Sequence, residues 1–407
     1  MDMIMYYESF LLFRKSIEST LWDRLPVDLQ IRVLLWLPPL DLRRLSFTCK
    51  YFHLFLSDPS FAIHYDLQRL TDRTFLATSI QREQHMGNTV LSSVIWQQGR
   101  DVLFQWQSQL FDHLQLHRYG WWLSCHGDGF VCFAGPQYKY LVFNPLFSHE
   151  WKILTRPAPF CTQGDEVYTY TAVAFDRKNG VCKLIIWCIV SEDYVDNGVM
   201  TFVYNFKEGT WKTITASING SDDYSLVRQG AQLVNERFLC WLSTDIISYV
   251  DTVLVFDVEE ELWKEPIRVV NDSVICIAQH EKQLCVLSQT YEEQKMKVGV
   301  CKFDMERKVW GLVEFIAPPI TGGRDYHLRG GREFFWVEKW GGNIEGWLCD
   351  ISRHCWQYLG NFGLLENALC FEASLFRLGV MESRRGRCQR SGEKLTRWTH
   401  RIKIIFF

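Results

Sequence analysis

Five stretches of the chain repeat one element: LVFNPLFSHEWKIL (141–154), FVYNFKEGTWKTI (202–214), LVFDVEEELWKEP (254–266), VCKFDMERKVWGLV (300–313) and GWLCDISRHCWQYL (346–359). Each runs from a short apolar strand to Asn or Asp, through a polar turn, to Trp and a second apolar stretch. The Asn or Asp stands six residues before Trp at 205/211, 257/263, 304/310 and 350/356, and seven before at 144/151. Asn and Asp close turns by accepting from nearby backbone amides, so this position has a chemical reason. The Trp falls on the return strand, where its ring can cover the face of a neighbouring unit. Trp151, Trp211, Trp263, Trp310 and Trp356 lie 60, 52, 47 and 46 residues apart. That is the scale of a four-stranded propeller blade, about 40–50 residues. One blade cannot bury both of its faces, whereas a closed ring of blades can. A weaker first unit, LFQWQSQLFDHLQL (103–116), carries Phe111 in the Trp place. The expectation is a mainly β fold with a propeller over 101–380, of six units, or five without the weak one. An open β-sandwich competes with it. The aromatic content of 15% agrees with strands.

Ahead of the repeats, residues 20–66 read as helical. Leu25, Leu29, Val33, Leu34 and Leu37 form one helical stripe. Pro26 suits an opening turn, Asp28 adds negative charge there, and Pro38-Pro39 end the helix. Asp41 can cap a second helix carrying Leu42, Leu45, Cys49 and Phe52, and Asp58-Pro59 marks another break. The reading is two or three short helices. They carry more apolar positions than they can hide, so the block is expected to dock something on its apolar face. Residues 1–19 read as an N-terminal extension, 67–100 as a polar linker and 381–407 as a basic tail.

These residues meet a known pattern. Leu25-Pro26, Asp28-Leu29, Val33-Leu34, Leu37-Pro38, Asp41-Leu42, Leu45, Cys49-Lys50, Phe52 and Asp58-Pro59-Ser60-Phe61 resemble an F-box, departing from it at Phe52 (often Trp) and Thr48 (often Val). The repeat region resembles kelch-type and F-box-associated propellers, as in plant F-box/kelch-repeat proteins. The likeness rests on the Asn/Asp…Trp element, the turn in SCHGDGFVCFAG (124–135) and the glycine pairs 322–323, 330–331 and 341–342. Most units lack the double glycine of kelch. The resemblance implies a short all-α F-box followed by a kelch-like β-propeller. It implies a substrate receptor of a Skp–cullin–F-box ubiquitin ligase. Leu25, Pro26, Leu29, Val33, Leu34, Leu37, Pro38, Leu42, Leu45, Cys49 and Phe52 would then meet a Skp-type adaptor, which joins the cullin. The propeller would hold a target protein, and the chain would supply no catalytic group. A non-ligase F-box scaffold or transcription co-regulator is the alternative.

The remaining chemistry is sparse. There is no Gly-x-Ser-x-Gly elbow, no phosphate-binding Gly-x-x-x-x-Gly-Lys loop and no His-Glu-x-x-His motif. A propeller oxidoreductase or hydrolase is the enzyme alternative, and no converging set of ligands supports it. Cys125, His126 and Cys132, and Cys349, His354 and Cys355, fall short of four zinc ligands, so no metal and no cofactor is expected. Asp222-Asp223 and Glu259-Glu260-Glu261 read as solvated turns. Arg324, His327, Arg329 and Arg332 follow Gly322-Gly323 and can form a polar target-recognition rim on an interstrand loop. Fourteen Cys without a Cys-x-x-Cys pair read as buried thiols in a reducing compartment, the nucleus or cytoplasm. The net charge is −3, which gives no drive toward nucleic acid, and no apolar run is long enough for a membrane span. The tail alone carries a charge of +6.

Overall fold

The computed structural model describes residues 22, 24–37, 39–68, 74–82, 89–97, 100–106, 122–144, 151–157, 169–192, 196–217, 225–227, 231–245, 250–269, 274–292, 295–305, 307–319, 326–330, 334–339, 345–361 and 369–372. The repeated element joins the third and fourth strands along the main path of an antiparallel sheet in each case; three of these sheets have four strands, one has five and one has six. Blade 2 holds β4 (Trp122–Gly127), β5 (Phe130–Gly135), β6 (Lys139–Phe143) and β7 (Trp151–Thr155). Blade 3 holds β8 (Thr169–Asp176), β9 (Val181–Glu192), β10 (Asp196–Asn205) and β11 (Thr210–Ser217). In blade 4, β12 (Ser225–Val227) and β13 (Gln232–Val234) both pair β14 (Phe238–Asp245). Next comes β15 (Asp251–Asp257), edged by β16 (Leu262–Trp263) and β17 (Ile267–Arg268). Blade 5 runs β18 (Val274–His280), β19 (Gln283–Glu292), β20 (Lys295–Asp304), with β21 (Val309–Trp310) and β22 (Glu314–Ile316) at its edge. Blade 6 runs β23 (Tyr326–Gly330), β24 (Phe334–Lys339), β25 (Glu345–Asp350) and β26 (Cys355–Asn361).

The turn logic holds at atomic detail. Asn205 Oδ1 accepts from the Lys207 and Glu208 amides at 3.0 and 3.1 Å, and Asp257 Oδ1 from Glu259 and Glu260 at 3.1 Å each. Asp304 and Asp350 accept from the Arg307 and Arg353 amides. In all four turns the fourth residue after the Asn or Asp has positive φ: Gly209, Glu261, Lys308 and His354. Each Trp lies directly opposite the residue just before the Asn or Asp: Phe143↔Trp151, Tyr204↔Trp211, Phe256↔Trp263, Phe303↔Trp310 and Cys349↔Trp356. Two of the Trp side chains also reach the preceding blade. Trp263 Nε1 donates to Thr201 Oγ1 and Trp310 Nε1 to the Arg268 carbonyl, both at 2.8 Å.

Blade 1 corrects the expected linker. Its sheet is ordered β27-β1-β2-β3, from β1 (Thr74–Arg82), β2 (Thr89–Gln97), β3 (Arg100–Trp106) and β27 (Leu369–Glu372). The segment 67–100 therefore carries two whole strands. The innermost strand of blade 1 comes from the far end of the ring, with Phe75↔Glu372 and Thr78↔Leu369 in register. Inner strands touch in succession, β27 on β4, β4 on β8, β13 on β18 and β18 on β23. The fold is a six-sheet β-propeller. Phe111, residues 1–19 and residues 381–407 lie outside the described residues.

Ahead of the ring stand α1 (Val27–Leu35), α2 (Pro39–Ser46), α3 (Lys50–Leu56) and α4 (Pro59–Gln68), four helices where two or three were expected. The additional helix follows Asp58-Pro59: Asp58 Oδ1 accepts from the Ser60 amide at 2.8 Å, and Pro59 opens the first turn. Asp41 does not cap α2. It lies inside the first turn and pairs with Arg44. No helix among the described residues is long and apolar enough to cross a membrane.

Candidate partner-binding surfaces

Two stripes run along α1. Gln30, Leu34 and Leu35 turn inward with Leu42, Phe55, Leu56, Phe61 and Tyr65, and their cluster continues into the cores of blades 2 and 3. Leu29, Val33 and Trp36, at steps of four and three, turn outward and are 43%, 45% and 80% exposed. Phe47, at the end of α2, is also exposed. The buried Arg43 guanidinium lies 5.7 Å from its ring centre, and burial together with Arg44 lowers the Arg43 pKa. A buried amide holds this arrangement. Gln30 Nε2 donates to the Trp22 and Leu25 carbonyls at 2.8 and 3.0 Å, and its Oε1 accepts from the Tyr51 hydroxyl at 2.7 Å. Tyr65 donates to the Leu37 carbonyl at 2.8 Å. The helical core is thus pinned by hydrogen bonds while an aliphatic and indole stripe faces water.

Sequence models give this pairing of modules a family. The F-box domain model matches residues 22–64, and the F-box associated beta propeller domain model matches residues 84–336, more than half of the chain. The chain belongs to the F-box proteins that carry an F-box-associated β-propeller. No curated protein matches it. Among solved structures, TolB from Acinetobacter baumannii is 9% identical, with TM-score 0.42, over 77% of this chain and 72% of that one. A nidogen/laminin complex is 10% identical at TM-score 0.38 (74% and 98%), and an oligogalacturonate lyase in complex with manganese 11% at 0.38 (75% and 80%). Likeness this distant carries no argument.

F-box domains bind Skp-type adaptors, and F-box proteins are in general adaptor subunits rather than catalysts. The residues expected at the F-box contact divide by burial. Pro26, Leu29, Val33 and Cys49 are exposed; Leu25, Leu37, Leu45 and Phe52 are half-buried; Pro38 lies outside the described residues. Leu34 and Leu42 are 1% and 0% exposed, so they serve the F-box core and are not free to insert into a partner. Trp36 continues the 29–33 stripe by one helical step and is exposed with it.

Of the expected recognition rim, two residues are described. His327 and Arg329 lie on β23, opposite Glu338 and Trp336, and not on a loop. Leu328 between them is buried. Arg324 and Arg332 lie outside the described residues, before and after that strand.

Elsewhere, charged groups knit the blades. Lys183 of blade 3, buried, donates to Asp176 and to the blade 4 residues Glu261 and Val258, each at 2.8 Å. Glu261 also takes Lys212, so the acidic run 259–261 is an interblade clasp and not a solvated turn. Asp128 of blade 2 binds Arg177 of blade 3, which reaches Glu236 of blade 4. Among the described cysteines all but Cys49 and Cys355 are buried, and none is in a disulfide. Burial, with Cys355 and Asp350 nearby, pushes Cys349 up to about 12, and burial raises Cys132, Cys182 and Cys240 as well. Such thiols are poor nucleophiles and poor ligands. Among the described residues no three His, Cys, Asp or Glu groups converge to hold a metal.

Proposed function

We propose that the chain is the substrate-recognition subunit of a Skp–cullin–F-box ubiquitin ligase. The observation that carries the reading is the outward stripe Leu29–Val33–Trp36 on a helical module whose other stripe is already packed. Each aliphatic side chain covered by a partner contributes about 1.5–3 kcal/mol before association costs. The adaptor meets this stripe and brings the cullin; the ring holds a target protein. Catalysis is by position: target lysines are kept near a ubiquitin-charged enzyme at high effective concentration. The kelch-type likeness of the ring, carried by its glycine pairs, belongs to the same reading. The fitting compartment is the nucleus or cytoplasm, where buried thiols stay reduced.

Affinity purification of the full chain under proteasome inhibition tests the proposal. Adaptor, cullin and ubiquitinated clients are expected together. Recovery of the adaptor without cullin would favour a non-ligase scaffold instead.

A further inference from the structure

Blades 3 and 4 meet over three indoles. Trp263 packs against Trp187 and Trp241 at ring-centre distances of 5.3 and 5.5 Å, and those two lie 5.7 Å apart. The next junction, between blades 4 and 5, keeps the repeated Trp and loses the other two. Opposite the position four before the turn residue stands Trp187 in blade 3 (facing Thr201) and Leu242 in blade 4 (facing Val253). Opposite the position three before it stands Trp241 in blade 4 (facing Leu254) and Val286 in blade 5 (facing Cys301). Two large rings are thus replaced by Leu and Val.

The outer edges of both blades are broken at the same place. Lys264-Glu265-Pro266 separates β16 from β17, and Gly311-Leu312-Val313 separates β21 from β22. At this junction lies an open cleft of about 900 Å³ between blades 4 and 5. Phe238, Val255, Ile267, Val286, Phe303 and Trp310 supply its apolar walls. Its aromatic side is preformed: Trp310 is bonded to Arg268 across the junction and lies 4.8 Å from the Phe303 ring.

The charged lining selects among occupants. It holds three cations, Lys264, Arg268 and Lys308, against one anion, Glu265. Lys264 is engaged by Asp257 and Glu260. Lys308 pairs with Glu265 at 3.0 Å, both side chains exposed, an exchangeable contact. Arg268 is exposed and has no ion pair among the described residues. Clefts of this size with apolar walls and a few polar groups are the usual form of small-molecule sites. We propose that the cleft between blades 4 and 5 binds a small organic anion with an apolar body, the body against Phe303, Trp310 and Val286 and the anionic group at Arg268. The site is separate from the adaptor reading and stands without it.

The test is fluorescence titration of the full chain with anilinonaphthalene sulfonate, an apolar aromatic anion, and with its uncharged analogue phenylnaphthylamine. One saturable sulfonate site per chain is expected, and it persists in a Leu29→Asp/Val33→Asp variant whose helical stripe no longer attracts dye. Val286→Trp, which gives blade 5 the indole that blade 4 has, abolishes binding of both probes. Arg268→Glu weakens the sulfonate about tenfold, the loss expected for one charge-assisted contact, and leaves the neutral probe unchanged. Absence of the site, its loss on changing the helical stripe, or its survival in a folded Val286→Trp protein overturns the proposal. Should Val286→Trp not fold, the surface change Arg268→Glu decides, and an unaltered sulfonate affinity overturns it.

Discussion

At the residue scale, two kinds of glycine are constrained for different reasons. Gly330 ends the inner strand of blade 6, and a Cβ there would sit 1.8 Å from the Ile277 carbonyl of blade 5. Gly127 has the same relation to Val173 of blade 3, at 2.2 Å. The constraint is contact between backbones, so no side-chain rotation relieves it. Gly330→Ala is expected to cost about 2–3 kcal/mol, as overpacking does, read as a fall in the urea midpoint at unchanged slope. Gly209 differs: a Cβ there would meet only the Tyr204 hydroxyl, at an ordinary 3.7 Å, but its φ is +74°. Gly209→Ala should cost about 1 kcal/mol, the strain of one left-handed residue. Equal losses for the two substitutions would contradict this distinction. Gln30 shows what a sequence conceals. On paper it is a polar residue on a surface helix; in the fold it is 3% exposed and ties Trp22, Leu25 and Tyr51 together. Nothing in the periodicity of α1 separates the buried stripe from the exposed one, because both contain leucine.

At the scale of elements, the recurring hairpin is where sequence and structure agree most closely. Asn or Asp, the polar turn and Trp each have a local chemical reason, so the element could be read without knowing the rest of the chain. Its charges do long-range work that was not legible. Burial alone would raise the Asp257 carboxyl, but donation from Arg237, the Glu260 amide and Lys264 outweighs it and holds the group below its ordinary value. For Asp176 and Glu261 the upward push of burial is likewise exceeded, chiefly by Lys183. The unfolded chain therefore takes up protons before these folded carboxylates do. The stability they contribute is complete above the unfolded carboxylate value of about 4, and drains away as pH falls through the lower folded values. Asp257→Asn should lower the urea midpoint at neutral pH and flatten its acid dependence. An acid slope as steep as that of the unsubstituted chain would show that Asp257 has no part in it. Asp257 and Glu261 bind groups that are distant in sequence, Arg237 and Lys183, which is why the turn looked merely solvated.

At the scale of the molecule, the ring is held shut by four residues. Leu369–Glu372 pairs with strand β1, nearly three hundred positions earlier, and supplies the inner strand of blade 1. Neither partner carries the Asn/Asp…Trp element, and the closing strand is too short to show a pattern. That is why the first blade read as a linker and a weak repeat. A chain ended at Asn361 leaves β1 unpaired on its inner side, an open edge in a ring. It should unfold at lower urea and over a broader range than the full chain; identical unfolding would mean the ring does not need this clasp. The helices place their packed side on blades 2 and 3 and leave Leu29, Val33 and Trp36 to solvent, and the functional reading depends on that division. The most direct measurement is calorimetric titration of the full chain with a Skp-type adaptor, beside a Leu29→Asp/Val33→Asp variant shown by circular dichroism to be folded. A one-to-one complex for the unsubstituted chain and none for the variant is the predicted result; equal binding by both would contradict it.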